Sequence, residues 1–223
     1  MAKDGGKLWM ELLGTPEQFE KVVLAALTKQ FNSAVQRSVE VIQDQVKELV
    51  YPAIFSCREM EALRGDDLRV ELGLTTTQAS GASARIAQTI TNSVVVNSRR
   101  PSGKDFGGIN LHIQPSDYAN VLNVPGTSIT YRSKAQKQTI TLEWLDWLIN
   151  RGDEIIVAKF GFEPAGGKGR SGGGKMKKGG SWRVSPQYAG TADDNFITRA
   201  LQDKSFTELT SKIIEKTIKK HWK

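Results

Sequence analysis

The sequence predicts an α+β fold, with helices at both ends of the chain and antiparallel strands between them. Three observations predict it. A helical apolar period runs from residue 16 to residue 49, β-branched alternating segments follow near the middle, and an amphipathic helix comes last. The elements do not alternate regularly as in a parallel doubly wound sheet. We therefore expect one α+β domain over residues 1–223.

The first predicted helix begins at Thr15-Pro16-Glu17-Gln18. Thr15 can cap it, Pro16 suits the first helical position because it lacks an N–H, and Gln18 can close a capping box. Tyr51-Pro52 is expected to end it, since a residue before proline is disfavoured in the α region. At 1.5 Å per residue this helix is roughly 50 Å long. One face is apolar and the opposite face polar; the apolar face comprises Phe19, Val22, Val23, Ala26, Leu27, Phe31, Ala34, Val35, Val39, Ile42, Val46 and Leu49.

The middle of the chain is expected to change period. A short helix over Cys57 to Leu63 is stopped by Gly65. From Ile86 to Val96, β-branched residues in two-residue alternation favour a strand, although its start also fits a helix. Two further strands are predicted, at Ile109 to Ile113 and at Ile129 to Tyr131.

The last third is expected to return to helices around one long strand. Trp144 and Trp147 lie at helical spacing and are expected in the core rather than at an interface. The predicted elements are a helix over Ile140 to Asn150, a strand over Glu154 to Phe162, an extended piece at Trp182 to Val184, a helix over Asn195 to Leu201 capped by Thr191 to Asp194, and an amphipathic helix from Ser205 that is cationic at its end.

The net charge of +7 is concentrated in two places. Residues 165–183 hold six cations, eight glycines and no acid, and residues 204–223 hold six lysines against two glutamates. We predict a flexible Gly/Lys-rich loop at 165–181, which is either a solvated hairpin tip or an arm that orders on DNA phosphates or an acidic protein surface. Its candidate interface or DNA-proximal residues are Lys168, Arg170, Lys175, Lys177, Lys178 and Trp182.

Catalytic chemistry is not indicated by the sequence. The single cysteine, Cys57, excludes an internal disulfide, and with only His112 and His221 beside it a structural zinc site is excluded too. Gly167 to Gly172 spells G-x-G-x-x-G, and Gly169 to Lys175 spells G-x-x-x-x-G-K before a methionine; both are read as chance matches in a glycine-rich tract. We expect no enzyme, catalytic residue, cofactor, metal, secretory signal or membrane span.

Residues 142–201 resemble the tail-completion or head–tail joining (neck) proteins of long-tailed bacteriophages. The segments that carry the resemblance are WLDWLINRGDEIIVAKFGFEP, GRSGGGKM and SWRVSPQYAGTADDNFITRAL, and the most telling letters are Gly169-Arg170-Ser171-Gly172 and Gly190-Thr191 with Asp194-Asn195-Phe196. The resemblance implies a long N-terminal helix packed on a small antiparallel sheet, with C-terminal helices. It also implies a ring, commonly of six subunits, between the portal or connector and the tail.

The partners that this resemblance implies are copies of the chain, the portal or connector proteins, the tail tube or tail terminator proteins, and DNA in the channel lumen, with no membrane. Such a protein is found in the virion, and in the host cytoplasm before assembly. A tail terminator or connector subunit is the alternative of the same class. The alternative of another class is a nucleic-acid-binding protein that uses the basic loop and the C-terminal helix.

Overall fold

A 40-residue helix, α1 (Pro16–Phe55), is the longest element of the fold. The structure is a computed structural model that describes residues 15–65, 67–101, 106–115, 117–132, 139–164 and 173–222. The predicted α+β architecture is confirmed. After α1, the described elements are α2 (Arg58–Arg64), α3 (Asp67–Glu71), α4 (Thr76–Asn92), β1 (Val95–Arg99), β2 (Gly108–His112), α5 (Ala119–Leu122), β3 (Ile129–Arg132), β4 (Thr139–Leu142), α6 (Trp144–Ile149), β5 (Val157–Pro164), β6 (Gly174–Trp182), α7 (Phe196–Gln202) and α8 (Lys204–His221).

The start of α1 is confirmed and its predicted end is wrong. The Thr15 hydroxyl accepts a hydrogen bond from the Gln18 amide at 3.3 Å, and the Gln18 side chain accepts one from the Thr15 amide at 3.1 Å. The helix does not stop before Pro52 but continues through it to Phe55. Proline removes one N–H, and the last turn still buries Ile54 completely, so burial outweighs the local preference.

The core forms where the second half of α1 meets the β1–β2 hairpin, α4 and α8. The predicted packing of α1 on a small antiparallel sheet is confirmed: the Val96 amide of β1 donates to the Gln43 side chain of α1 at 3.1 Å. From α1, the fully buried apolar side chains of the main cluster are Ile42, Val46, Val50 and Ile54.

Helix α4 replaces most of the strand expected from Ile86 onward. Thr75 and Gln78 form a second capping box, which starts this helix. The β-branched residues further along the segment had favoured a strand. The hydroxyl of Thr91 donates to the Ala87 carbonyl at 2.8 Å, so a residue typical of strands is accommodated in the helix. Only the end of the predicted strand is extended, because β1 begins at Val95.

The six strands of the described residues form three separate antiparallel pairs, β1–β2, β3–β4 and β5–β6. The helix expected over Ile140 to Asn150 is wrong at its start, where β4 pairs with β3, and right from Trp144 onward. Trp144 is fully buried and its indole N–H donates to the Gly126 carbonyl at 3.1 Å, which confirms its predicted place in the core. Trp147 packs half-buried against the same core.

A junction, defined as residues 190–196, follows β6, leads into α7 and packs against the end of α6. The Gly190 carbonyl accepts from the Gly152 amide at 2.8 Å, and the Thr191 amide donates to the Asp194 carbonyl at 2.8 Å. The cap of α7 is Asn195 rather than the predicted Thr191 to Asp194: its buried side-chain oxygen accepts from the amides of Ile197 and Thr198. Several letters that carry the phage resemblance are thus structural, since they fix this turn.

Helix α8 runs antiparallel to α1. It begins at Lys204, one residue before the predicted start, because Asp203 caps it by accepting from the Ser205 amide at 2.8 Å. Near its other end, the Trp222 ring lies 5.6 Å from the Phe31 ring, and the imidazole of His221 lies 2.9 Å from the Ser38 hydroxyl. These contacts fix α8 along one side of α1.

Candidate interaction surfaces

The β5–β6 hairpin contains half of the segment expected to be a loop. Residues 174–181, predicted as part of the loop at 165–181, lie instead in β6 and pair with β5, with Phe162 opposite Met176 and Glu163 opposite Lys175. The glycines are therefore not all loop residues. Gly179 and Gly180 have φ angles of +106° and +75°, and together with Lys159 at +66° they form a bulge that interrupts the pairing beside Phe160.

Both faces of this hairpin are exposed along most of β6. Every residue from Lys175 to Ser181 is exposed, including the large apolar side chains of Met176 and, across the pair, Phe160. Within the described residues the sheet has only these two strands, so each strand has one edge without a strand partner. A two-stranded sheet of this kind offers its faces and its edges to another chain.

The structure places Lys175, Lys177 and Lys178 together on β6. The hypothesis that these cations lack a nearby acid is wrong, because Glu163 on β5 lies between the first two: its carboxylate oxygens are 3.7 Å from the Lys175 ammonium and 3.5 Å from the Lys177 ammonium. Lys178 lies opposite Phe160. The surface is still cationic, since Lys159 adds a fourth lysine against the one glutamate.

Trp182, predicted as an interface or DNA-proximal residue, is buried in this chain. Its side chain is only 7% exposed and belongs to the main apolar cluster at the base of the hairpin. Lys168 and Arg170, the other two predicted contact residues, lie outside the described residues. Three of the six candidate residues are therefore found on one exposed strand and one is found in the core.

A second cationic surface lies on α8. Lys212, Lys216 and Lys220 recur every four residues and line a groove between α8 and α1. Two other lysines of α8 form ion pairs along the helix. Lys219 lies 2.5 Å from Glu215, and Lys204 lies 3.9 Å from Glu208. Lys204 and Lys219 are therefore partly neutralised by neighbouring glutamates, although both side chains are exposed.

The exposure of the first turns of α1 was not predicted from the sequence. The predicted apolar face extends over most of α1, but the side chains from Glu17 to Leu27 are all exposed. The signal was the length of the period: a helix of 40 residues is longer than the core that it crosses. The exposed segment is apolar, and it therefore counts as a candidate contact surface.

A cleft of about 880 Å³ lies between α3 and the base of the hairpin. Its walls include Asp67, Glu71 and Tyr188; the Tyr188 hydroxyl donates to Asp67 at 3.4 Å. Burial, with a smaller contribution from the negative charge of Asp67, raises the pKa of Glu71. No histidine or cysteine lines this cleft, so its acids lack a nucleophile–base arrangement among the described residues.

Other reactive groups are not assembled into a site. Burial raises the pKa of the Cys57 thiol to about 11, which leaves it protonated and a weak nucleophile near neutral pH. His112 is exposed on β2. In the part of the chain that the structure describes, no three histidine, cysteine or acidic side chains cluster as metal ligands would.

Comparison of the chain with protein-family models, with curated proteins and with solved structures gives no match. Among the described helices, none combines the length and the apolar character that crossing a bilayer requires. The exposed surfaces of the hairpin, of α8 and of the first turns of α1 are therefore the features that indicate a function.

Proposed function

We propose that this chain is a structural virion protein of the phage neck, which completes the tail or joins head to tail. It acts by assembling as a ring between the portal or connector and the tail, and not by catalysis. The sequence resemblance over residues 142–201 supports the class of protein. The observation that carries the proposal is the β5–β6 hairpin, whose faces are exposed and whose outer strand edges are unpaired among the described residues.

The hairpin suits a contact between unlike surfaces of neighbouring copies. An unpaired strand edge can add to the sheet of another chain through main-chain hydrogen bonds. The lysines of β6 then favour an acidic neighbour and disfavour another cationic hairpin, which directs the contact toward a different surface. Contacts between unlike surfaces build rings when the rotation between copies closes.

In this assembly, the cations of the Gly/Lys-rich segment contact a neighbouring subunit or DNA. Lys168, Arg170, Lys175, Lys177 and Lys178 dock on the neighbouring subunit or face the DNA in the channel lumen. The implied partners are copies of the chain, in a ring of six, together with the portal or connector and the tail tube or tail terminator. The protein is then found in the virion, and in the host cytoplasm before assembly.

Electron micrographs of particles made without this protein test the proposal. We expect separate full heads and finished tails, because only the joining step is lost. Tails that are never finished would favour the tail terminator or connector alternative instead. Normally joined, infectious particles would overturn the proposal altogether.

The hairpin is tested by supplying variants to the same particles. Replacement of all five cations by serine should block joining, whereas exchange of lysine for arginine and of Arg170 for lysine keeps the charge and should preserve it. Full infectivity of the serine variant would remove the hairpin from the mechanism. Correct folding of both variants is checked by their circular dichroism spectra.

A nucleic-acid-binding protein is the second candidate function, and the exposed lysines of β6 and α8 favour it. A gel shift with a salt titration separates the two. A DNA-binding protein that neutralises several phosphates loses affinity steeply, with a log–log slope of about −0.9 per phosphate contacted. If the chain binds no DNA, or binds it with an affinity that does not change with salt, the ring contact is the function that accounts for these lysines.

A further inference from the structure

The first turns of α1 carry an apolar stripe that no described residue covers. Phe19 is 59% exposed and Val22 is 67% exposed. The helix stripe is defined by residues spaced i, i+3, i+4, i+7 and i+8, namely Phe19, Val22, Val23, Ala26 and Leu27. This is the spacing by which an amphipathic helix anchors itself in a groove of another protein.

The same molecule holds a groove of matching length. The α1–α8 groove, with a volume of about 450 Å³, has an apolar floor that includes Val41, Leu49 and Ile213, together with Leu209, which is 47% exposed. The lysines of α8 form one rim. Along α1 the floor runs from residue 41 to residue 49, and the stripe runs from residue 19 to residue 27. Each spans about 12 Å at 1.5 Å per residue.

The stripe and the groove lie on the same side of α1. Phe19 and Val41, or Leu27 and Leu49, are 22 residues apart, which is about six full turns of 3.6 residues. A copy that laid its stripe in the groove of another copy would therefore turn its own groove toward the stripe of that copy. Each contact occurs twice, so the pair is closed and two-fold.

We propose that the free protein pairs with a second copy of itself through these surfaces. The two α1 helices run antiparallel, so that residues 19–27 of each helix lie beside residues 49–41 of the other and fill its α1–α8 groove. The pairing covers the exposed apolar side chains of both copies at once. It requires no change in either fold.

The charges at the two edges of the stripe fit this pairing. Glu20 lies 11 residues, about three turns, before Phe31, which contacts Trp222 at the end of α8; Glu20 is therefore on the α8 side of the helix. In the antiparallel pair it meets the lysine rim of the partner copy near Lys212. On the opposite edge, Lys29 meets the exposed Glu40. Glu48 also lines the groove and lies opposite Glu20 in this register, but the three lysines of the rim outnumber it, so each edge of the stripe faces a net opposite charge.

This inference is independent of the proposed neck function. A closed two-fold pair cannot build a ring by itself, so ring contacts through the hairpin are separate. The test measures self-association of the purified full chain and does not depend on virus particles. Its failure would leave the neck proposal standing, and the reverse also holds.

Sedimentation equilibrium of the full chain is the first measurement, and the expected species is a dimer. The variant F19E/V23E places two carboxylates on the stripe, one at its first residue and one at its centre, and should weaken association by about 100-fold or more. Both side chains are exposed in the single chain, so its circular dichroism and thermal unfolding should be unchanged. Ile155→Glu, at an equally exposed apolar residue outside the stripe and groove, is the matched control and should dimerise normally.

Charge reversal tests the antiparallel register. Glu20→Lys alone and Lys212→Glu alone each create two repulsive contacts per dimer and should weaken it by about tenfold. The double variant E20K/K212E restores opposite charges and should return the dissociation constant close to its original value. Single variants that weaken the dimer without rescue in the double variant would overturn the register.

Three results would overturn the pairing itself. The first is a chain that stays monomeric at roughly 100 µM, where a dimer of micromolar affinity is largely formed. The second is a dimer that F19E/V23E leaves intact, since the contact must then lie elsewhere. The third is a monomer that dimerises only after residues 1–14 are deleted, because the occupant of the groove would then be the chain's own N-terminal segment.

Discussion

The β5–β6 hairpin and the junction at residues 190–196 are neighbours in sequence and differ in almost every physical respect. The hairpin is exposed on both faces, and a side chain added at Gly179 or Gly180 would meet nothing within 4 Å. At the junction, a side chain added at Gly190 would overlap the Leu148 carbonyl and approach the Asn195 Cβ to 2.8 Å. The middle of β6 therefore has room for added side chains, although Gly174 at its start does not, and the junction has none at Gly190.

The difference teaches which letters of the resemblance concern folding and which concern contact. The junction residues are fixed by hydrogen bonds and close packing inside the chain, so their identity follows from this fold. The hairpin lysines contribute almost nothing to the packing of this molecule. If they are specified by anything, it is by another molecule, which is why the proposed function relies on the hairpin.

The largest expected effect is at Gly190. Gly190→Ala should lower the free energy of unfolding by about 3–4 kcal/mol, because the added methyl group collides with backbone that cannot move freely. Gly180→Ala, where the φ angle is positive and space is open, should cost about 1–2 kcal/mol through backbone strain alone. Chemical denaturation measures both. Equal costs would mean that the junction is as adaptable as the hairpin.

Arg199 gives the second prediction. Its guanidinium is 2.7 Å from the carboxylate of Glu59, which is 4% exposed, and 2.9 Å from that of Asp194. Arg199→Ala should cost about 3 kcal/mol in unfolding free energy, because Glu59 is left buried without its partner. The added substitution Glu59→Gln removes the buried charge and should recover part of the loss. No recovery in the double variant would show that the arginine stem, and not the ion pair, is what matters.

The sequence predicted the helices and strands better than it predicted which of their side chains are buried. The capping box at Thr15 and the residue pattern of β2 are local signals. They were enough to predict where α1 begins and where that strand lies. Residues 86–92 form a helix despite their β-branched side chains, because the capping box at Thr75 starts α4 and burial of Ala82, Ile86 and Ile90 on one face stabilises it. Helix α1 likewise continues past Pro52, because burial of Ile54 outweighs the tendency of proline to end a helix.

The candidate site was predicted only in part. The cluster of lysines in sequence located the right segment, but the pairing with β5 that brings Glu163 beside Lys175 depends on register, which composition does not give. Trp182 reads as a loop-edge aromatic in sequence and is placed in the core by that same pairing. Likewise, periodicity showed that Phe19 and Ile42 share an apolar face, but only the fold shows that one is covered.

The third prediction compares two helix caps. Asn195 is completely buried and also donates to the Thr191 carbonyl at 3.0 Å, whereas Thr15 caps α1 in solvent. Asn195→Ala should cost about 2 kcal/mol in unfolding free energy and Thr15→Ala about 0.5 kcal/mol, because water can replace only the exposed cap. Thermal and urea unfolding of the two variants give the difference. A Thr15 variant as unstable as the Asn195 variant would show that the exposed start of α1 is as tightly coupled to the fold as the junction.

The smallest effect is expected at Glu163. Its contacts with Lys175 and Lys177 are long and partly exposed, so Glu163→Gln should change the free energy of unfolding by no more than about 0.5 kcal/mol. That change should vanish in about 1 M salt, where exposed charges are screened within about 3 Å. The loss caused by Arg199→Ala should persist there, because its partner is buried. A Glu163 variant that loses more than 1 kcal/mol at high salt would mean that Glu163 is held as a buried partner, as Glu59 is, and the contrast between hairpin and junction would then fail.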